Sequence, residues 1–152
     1  MTISIHAPTQ GALEQIASRM CAEDVAELEA AGWASPIEAL TASVEGCKEA
    51  YVACWDGLPQ AAFGVADFPL DDTLGVPWML STGPRGRVAR EFVQVSKRYI
   101  AEWSPLYSAL FNFVDARHLR AQRWLMSLGF RPFKVHDYGG HPFIEFGRFS
   151  NV

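Results

Sequence analysis

The sequence predicts one α/β (α+β) domain over residues 1–152, with a mixed central sheet of about seven strands and helices on both faces. Its 152 residues are enough for one hydrophobic core and too few for two ordinary domains. Apolar residues recur with strand and helix periods in the order strand, helices, hairpin, strand, helix, strand, helix, strand, strand. The handedness of crossover connections then places the long helix of the second half against the sheet.

The first third of the chain predicts one strand and three helices. Residues 2–6 alternate apolar and polar side chains, which is typical of a half-buried strand. Thr9 is suited to cap the first helix, and a second, acidic helical segment ends at Gly32. Ser35 followed by Pro36 predicts the start of a third helix, because serine caps and proline favours the first helical position.

The middle of the chain predicts a β-hairpin and one further strand. Apolar residues 51–55 and 60–66 flank Asp56-Gly57, a pair suited to the positive φ angles of a tight turn. Residues 68–72, rich in proline and aspartate, predict a connector. Residues 76–80 predict the strand that follows it.

The second half predicts a long helix, a covered strand, a shorter helix and a final hairpin. From Val88 to the residue before Pro105, apolar side chains repeat at helical spacing. Residues 107–114 are mostly apolar and aromatic, as in a strand covered on both faces. A helix ends at Gly129, and two short strands follow around residues 133–135 and 143–146.

Composition and charge restrict the classes of function. The net charge is −4, which argues against general nucleic-acid binding, and no segment has the ~20 apolar residues of a membrane span. The chain start lacks a secretory pattern, which predicts the cytoplasm, or a virion if the gene is viral. The three cysteines and four histidines lack metal-ligand spacing, so we expect no metal.

The charge is distributed unevenly along the chain. Residues 84–134 carry ten basic and three acidic side chains, a net +7, while the remainder carries −11. Two interpretations stay open: solvated helix faces, or an electropositive surface for a polyphosphate ligand. The loop at residues 81–87, with Gly83 and Gly86 before the long helix, favours the second, because glycines and a helix N-terminus suit anions.

The loop at residues 81–90 and the segment 113–130, which ends in Leu128-Gly129-Phe130, give the chain a resemblance to the GNAT N-acetyltransferase superfamily. The resemblance implies the acyl-CoA-binding fold, acetyl-CoA as the cofactor and an amine as the acetyl acceptor. It places cofactor contacts at the end of one strand and the start of the long helix. The implied cofactor-binding residues are Met79, Leu80, Ser81, Arg85, Gly86, Arg87, Val88, Ala89 and Arg90.

The chain departs from the family pattern at three positions. Val88 and Arg90 stand where the family usually has a glycine and a small residue, and Leu125 stands at the place of the tyrosine that protonates the leaving thiolate. For the general base the resemblance suggests a carboxylate near the end of a central strand. Asp115, with His118 as its partner, is the candidate catalytic pair, although Asp115 could instead cap a helix and His118 could face solvent.

The run from Arg123 to Phe130 also resembles the tailed-phage internal virion protein A family, which is GNAT-like. That resemblance implies phage assembly proteins as partners and a fold that has lost its chemistry. Three classes therefore stay open: an N-acetyltransferase, a non-catalytic assembly protein, and a module that binds CoA or a nucleotide. A homodimer also stays open, because some of the many aromatic residues could lie in an interface.

Overall fold

The computed structural model describes residues 3–149, whose centre is a seven-stranded sheet in the order β1-β2-β3-β4-β5-β7-β6. The strands are β1 (Ile3–His6), β2 (Glu49–Trp55), β3 (Leu58–Phe68), β4 (Asp71–Ser81), β5 (Ala109–Asp115), β6 (Arg131–Tyr138) and β7 (His141–Phe149). The helices are α1 (Gln10–Ser18), α2 (Ala22–Ala30), α3 (Pro36–Glu45), α4 (Gly86–Trp103) and α5 (Leu119–Ser127). A single 3-10 turn, Ser104–Leu106, follows α4.

The sheet is mixed and carries helices on both faces, as predicted. Neighbouring strands pair antiparallel except β4 and β5, which are parallel. On one face α4 and α5 pack on the sheet, with Phe130 and Leu110 fully buried between them. On the other face α1 and α3 bury Ile16 and Leu40. Burial of each such side chain stabilises the fold by about 1.5–3 kcal/mol.

Two predicted helix starts are confirmed in detail. The Oγ1 atom of Thr9 accepts a hydrogen bond from the Ala12 amide at 3.2 Å, and the Oγ atom of Ser35 accepts one from the Glu38 amide at 3.3 Å. Each bond satisfies an amide that the helix itself leaves without a partner. The predicted hairpin turn is also present, with positive φ at Asp56 and Gly57.

The predicted connector at residues 68–72 is present but shorter, since both flanking strands extend into it and the turn itself is residues 69–70. Strand β3 continues through Phe68, whose ring packs edge-on against Phe111 with 5.0 Å between the ring centroids. Strand β4 already begins at Asp71, whose carboxylate accepts a hydrogen bond from the Thr73 amide at 3.0 Å. The proline therefore does lie in a turn, and packing of the phenylalanine ring keeps Phe68 in the strand before it.

The number of strands was predicted correctly, but several of the predicted strands are shorter than those in the structure. The first strand was predicted from residue 2, which lies outside the described residues. Strands β6 and β7 extend well beyond the predicted residues 133–135 and 143–146, because polar residues at their ends still join the ladder between them. Among the described residues, no helix has the length and apolar character needed to cross a bilayer.

Candidate active site

The central strands β4 and β5 separate soon after they meet. Their parallel pairing consists of Leu74 with Ala109 and Gly75 with Leu110, so the two strands diverge toward their C-terminal ends. Pro77 lies on β4 at this point, and its carbonyl oxygen accepts a hydrogen bond from the Asn112 side-chain amide at 2.6 Å. Since an X–Pro nitrogen carries no hydrogen, β4 lacks a donor here that could extend the ladder. The sheet therefore has an opening between β4 and β5.

One cavity, which we call the α5 cavity, lies on the α4/α5 side of this opening and has a volume of about 280 Å³. Met79 and Ser81 of β4, Ala89 of α4 and Trp124 of α5 are among its lining residues. Its far end is formed by Pro84 in the loop that precedes α4. The cavity thus extends from the opening in the sheet to the start of the long helix.

The loop before α4 has the backbone shape of an anion cradle. Gly83 and Gly86 both have positive φ angles, of 80° and 62°. A Cβ atom on Gly83 would lie 2.6 Å from Nη1 of Arg120 and 2.8 Å from Cβ of Cys21, so a side chain does not fit there. The N-cap residue of α4, Arg85, makes no side-chain capping bond. The first amides of α4 and its dipole are therefore available to a negatively charged ligand.

Arg120 places a partly buried positive charge next to Gly83. Its Nη2 atom lies 3.4 Å from the Glu23 carboxylate. Its Nη1 atom is buried, and within residues 3–149 it has no hydrogen-bond partner. A buried donor of this kind is costly unless a ligand or water satisfies it. Arg120 lines the α5 cavity together with Arg123, so two guanidinium groups contribute to its wall.

Asp24, a residue of α2, ties the end of β4 to the start of α5. Its Oδ2 atom accepts a hydrogen bond from the Ser81 amide at 2.9 Å, and its Oδ1 atom lies 2.5 Å from Nε2 of His118. Because Nδ1 of His118 accepts from the Ala121 amide at 3.3 Å, the ring proton lies on Nε2 and is donated to Asp24. Burial lowers the pKa of His118, but the hydrogen bond and charge of Asp24 outweigh it and the pKa is raised.

Glu27, one helical turn after Asp24, lies at the opening itself and lines the α5 cavity as well as the cavity on the other face. Its Oε2 atom accepts a hydrogen bond from the Asp115 amide at 3.0 Å. Burial raises the pKa of Glu27 to about 7 from its usual 4.5, and the charges of Asp24 and Asp115 act in the same direction. The Asp115 amide and His118 oppose this shift. A carboxyl group that titrates near neutrality can accept or donate a proton at physiological pH.

The cavity on the opposite face, which we call the aromatic cavity, has a volume of about 540 Å³. Its walls come from β4, β5, β6, β7 and the segment between α2 and α3. Five aromatic side chains line it: Trp33, Trp78, Phe113, Tyr138 and Phe143. It shares Glu27, Met79 and Asn112 with the α5 cavity, so the two cavities meet at the opening between β4 and β5.

The predicted cofactor-binding residues are divided among several environments. Met79, Ser81 and Ala89 line the α5 cavity, whereas Leu80 faces the aromatic cavity. Gly86 begins α4, and Arg85 and Val88 line a shallower depression beside the loop. Arg87 forms an exposed ion pair with Glu91 at 3.2 Å, and Arg90 is exposed.

The two residues of the predicted catalytic pair are joined through the backbone, where the His118 amide donates to the Asp115 carbonyl oxygen at 2.9 Å, but their side chains bond to different partners, Arg117 and Asp24. Asp115 is 2% exposed and forms an ion pair with Arg117 at 2.7 Å, and the hydrogen bond from Arg117 holds the pKa of Asp115 below its usual range. Asp115 lines neither the α5 cavity nor the aromatic cavity. His118, at 5% exposure, caps α5 through its ring nitrogen, so both alternatives, a capping aspartate and a solvent-facing histidine, are wrong.

The sequence predictions missed Asp24, Glu27 and the cavity contact of Arg120. A weak signal existed for the two carboxylates, because residues three apart on a helix share one face. Nothing in the local pattern showed that this face of α2 meets strand β5.

The fold of the chain is that of the GNAT acetyltransferases, as the comparison with solved structures shows. An N-acetyltransferase from Staphylococcus aureus Mu50 superposes with a TM-score of 0.69 at 10% identity, over 99% of this chain and 99% of the other. A GNAT-family acetyltransferase from Bacillus anthracis gives 0.70 at 7% identity, over 100% and 97%. An aminoglycoside acetyltransferase in complex with coenzyme A gives 0.70 at 13% identity, over 97% and 95%. Neither a protein-family model nor a curated protein sequence matches the chain.

Proposed function

We propose that this protein is an N-acetyltransferase that transfers the acetyl group of acetyl-CoA to a primary amine. The observation that carries the proposal is the opening between β4 and β5, with one cavity on each side and three shared lining residues. Two substrates that enter from opposite faces would meet there with their reacting atoms held in place. Such positioning can supply a large part of the rate enhancement of a bimolecular transfer.

The residues around the α5 cavity fit the anionic end of CoA. At Gly86, the first residue of α4, the space beside the backbone is open, and near Gly83 Arg120 offers a buried donor that has no partner among the described residues. Arg85 and the first amides of α4 would complete the phosphate site. The side chain of Val88 is partly buried and packs against the core.

Acetyl-CoA supplies the acetyl group as a thioester. The Pro77 carbonyl faces the opening, and since backbone groups alternate along a strand, the Met79 amide faces the same way. An N–H at that place can polarise a thioester carbonyl as an oxyanion-hole donor. Direct attack by an amine depends mainly on this positioning and polarisation, so Leu125, which cannot donate a proton, is compatible with transfer.

The second candidate is a non-catalytic protein that keeps the fold and serves in phage particle assembly. It is favoured by Leu125, which is 1% exposed at the place of the family's tyrosine, and by the exposed Arg90 at the place of a small residue. The resemblance to the internal virion protein A family supports the same alternative. In that case a surface of this protein would bind other phage proteins, and the two cavities would have no catalytic role.

Isothermal titration calorimetry with acetyl-CoA distinguishes the two candidates. We expect the wild type to bind, and Arg120→Ala to bind about 10- to 100-fold more weakly, since a charge-assisted bond contributes ~1.5–3 kcal/mol. Lys97→Ala, which removes an exposed positive charge farther along α4, is the matched control and should bind like the wild type. Failure of the wild type to bind at millimolar acetyl-CoA would refute the proposal and favour the assembly protein.

A further inference from the structure

We propose that the aromatic cavity holds the acetyl acceptor, a primary amine attached to an aromatic group, and that Glu27 is the base that takes the proton of its ammonium group. This inference rests on the proposed acetyl transfer and adds to it the substrate class and a catalytic residue. Its first support is position. Of the acidic residues among 3–149, Glu27 lines both the α5 cavity and the aromatic cavity, whereas Asp24 lines only the first and Asp137 only the second.

The hydrogen bonding of Glu27 leaves one carboxylate oxygen for a ligand. Its Oε2 atom is held by the Asp115 amide at 3.0 Å, which fixes the carboxyl group at the opening. Its Oε1 atom makes no hydrogen bond to any residue in the described range 3–149. A base must lie within hydrogen-bond reach of the proton that it removes, and the free oxygen meets that condition for a nitrogen in the opening.

The surroundings of Glu27 make it a better base than an ordinary exposed carboxylate. Burial, with the charges of Asp24 and Asp115, raises the pKa of Glu27 to about 7, so its carboxylate binds a proton more tightly. Below that pH the side chain is protonated and cannot act; above it, the base is available. The titratable groups that face Glu27 from α2, β5, the start of α5 and β6 are Asp24, Asp115, His118, His136 and Asp137.

The walls of the aromatic cavity define the carrier of the amine. Trp33, Trp78, Phe113, Tyr138 and Phe143 all line the cavity, so flat apolar groups can pack against their rings. Aromatic faces also attract the ammonium group itself. Glu27 at the inner end and Asp137 in the wall repel carboxylates. The volume of about 540 Å³ is within the usual range for small-molecule sites.

The bonds and protons balance as follows. One carbon–nitrogen bond forms and one carbon–sulfur bond breaks. The nitrogen of the ammonium group loses two protons: the first goes to Oε1 of Glu27 before attack, and the second goes to the departing thiolate. Glu27 then returns its proton to solvent, so each turnover yields an amide, a thiol and one proton.

The test uses 2-phenylethylamine as the probe, with the wild type, Glu27→Gln and the matched control Glu29→Gln, which changes an exposed carboxylate on the same helix. Thiol release from acetyl-CoA is followed from pH 5.5 to 9.5, and amine binding is measured separately by quenching of tryptophan fluorescence. We expect wild-type kcat/KM to fall below pH 7, and Glu27→Gln to lower it about 10²-fold or more at pH 7. The acidic limb should disappear in Glu27→Gln and persist in Glu29→Gln.

Binding data separate a catalytic role from a structural one. The amide oxygen of a glutamine can still accept the Asp115 N–H, so Glu27→Gln should bind acetyl-CoA like the wild type and 2-phenylethylamine within about tenfold. Equal rates and an unchanged acidic limb in Glu27→Gln would overturn the role of Glu27. Absence of amine binding by a wild type that does bind acetyl-CoA would overturn the substrate class. A wild type that binds no acetyl-CoA would instead refute the proposed transferase function.

Discussion

Replacement of Glu27 by glutamine should make the protein more stable at alkaline pH. In the folded protein the pKa of Glu27 is raised to about 7, whereas an unfolded chain has the usual value of 4.5. The folded state therefore binds this proton more tightly than the unfolded state does. The stabilisation from that proton is fully present below pH 4.5 and is lost as pH rises through 7.

The size of the effect follows from the same two values. Each pH unit of separation corresponds to about 1.4 kcal/mol. The difference between the unfolded pKa of 4.5 and the folded pKa of about 7 means that the ionised carboxylate lowers the unfolding free energy by about 3 kcal/mol at pH 8. The partial exposure of the side chain reduces this loss toward about 2 kcal/mol. Glutamine keeps the shape and one acceptor oxygen but carries no charge, so it escapes this cost.

Urea denaturation of the wild type and Glu27→Gln at pH 5 and pH 8 measures the difference. Other groups that titrate in this range, such as His118, are present in both proteins and largely cancel. We expect the variant to gain about 2–3 kcal/mol on the wild type as pH rises from 5 to 8. Parallel pH dependence in the two proteins would refute the reasoning, since it would mean that Glu27 is not desolvated in the fold.

Two further changes test the loop and the core. Gly83→Ala should weaken acetyl-CoA binding at least about tenfold in calorimetry, because its Cβ would contact Arg120. The control Gly57→Ala has a similar φ angle but open space around it, so it should lower only the stability, by about 1 kcal/mol in thermal melts. Phe130→Ala should lower the unfolding free energy by about 3–5 kcal/mol in urea, because the ring is completely buried between the sheet and its helices. A loss below about 1 kcal/mol would show that this part of the core is loosely packed.

The elements of the fold could be predicted because their signals are local. Caps such as Thr9 and Ser35 act on amides three residues away, and the period of apolar side chains depends only on neighbours along the chain. The predicted order of strands and helices was therefore right. Where a distant contact contributes, as with Phe68 against Phe111, the local signal placed the turn but overestimated its length.

The candidate site could be predicted only in part, for the same physical reason. The loop before α4 can be predicted from its glycines, but the environment of Glu27 arises from a contact with Asp115, 88 residues away in the sequence. The contact between Asp24 and His118 spans 94 residues. Burial that raises a pKa, and rings that gather from four strands into one cavity, are properties of the assembled sheet and have no signature in any single segment.

Pro77 has a consequence for the energetics of the opening. In most sheets, two strands could be separated only by breaking backbone hydrogen bonds, each of which contributes about 1 kcal/mol. Here the proline supplies no donor toward β5, and its carbonyl is already bonded to the Asn112 side chain. A molecule that enters between the strands therefore breaks no ladder bond to do so. The opening is already formed before a ligand binds. The binding energy of a ligand there can therefore be used to orient it.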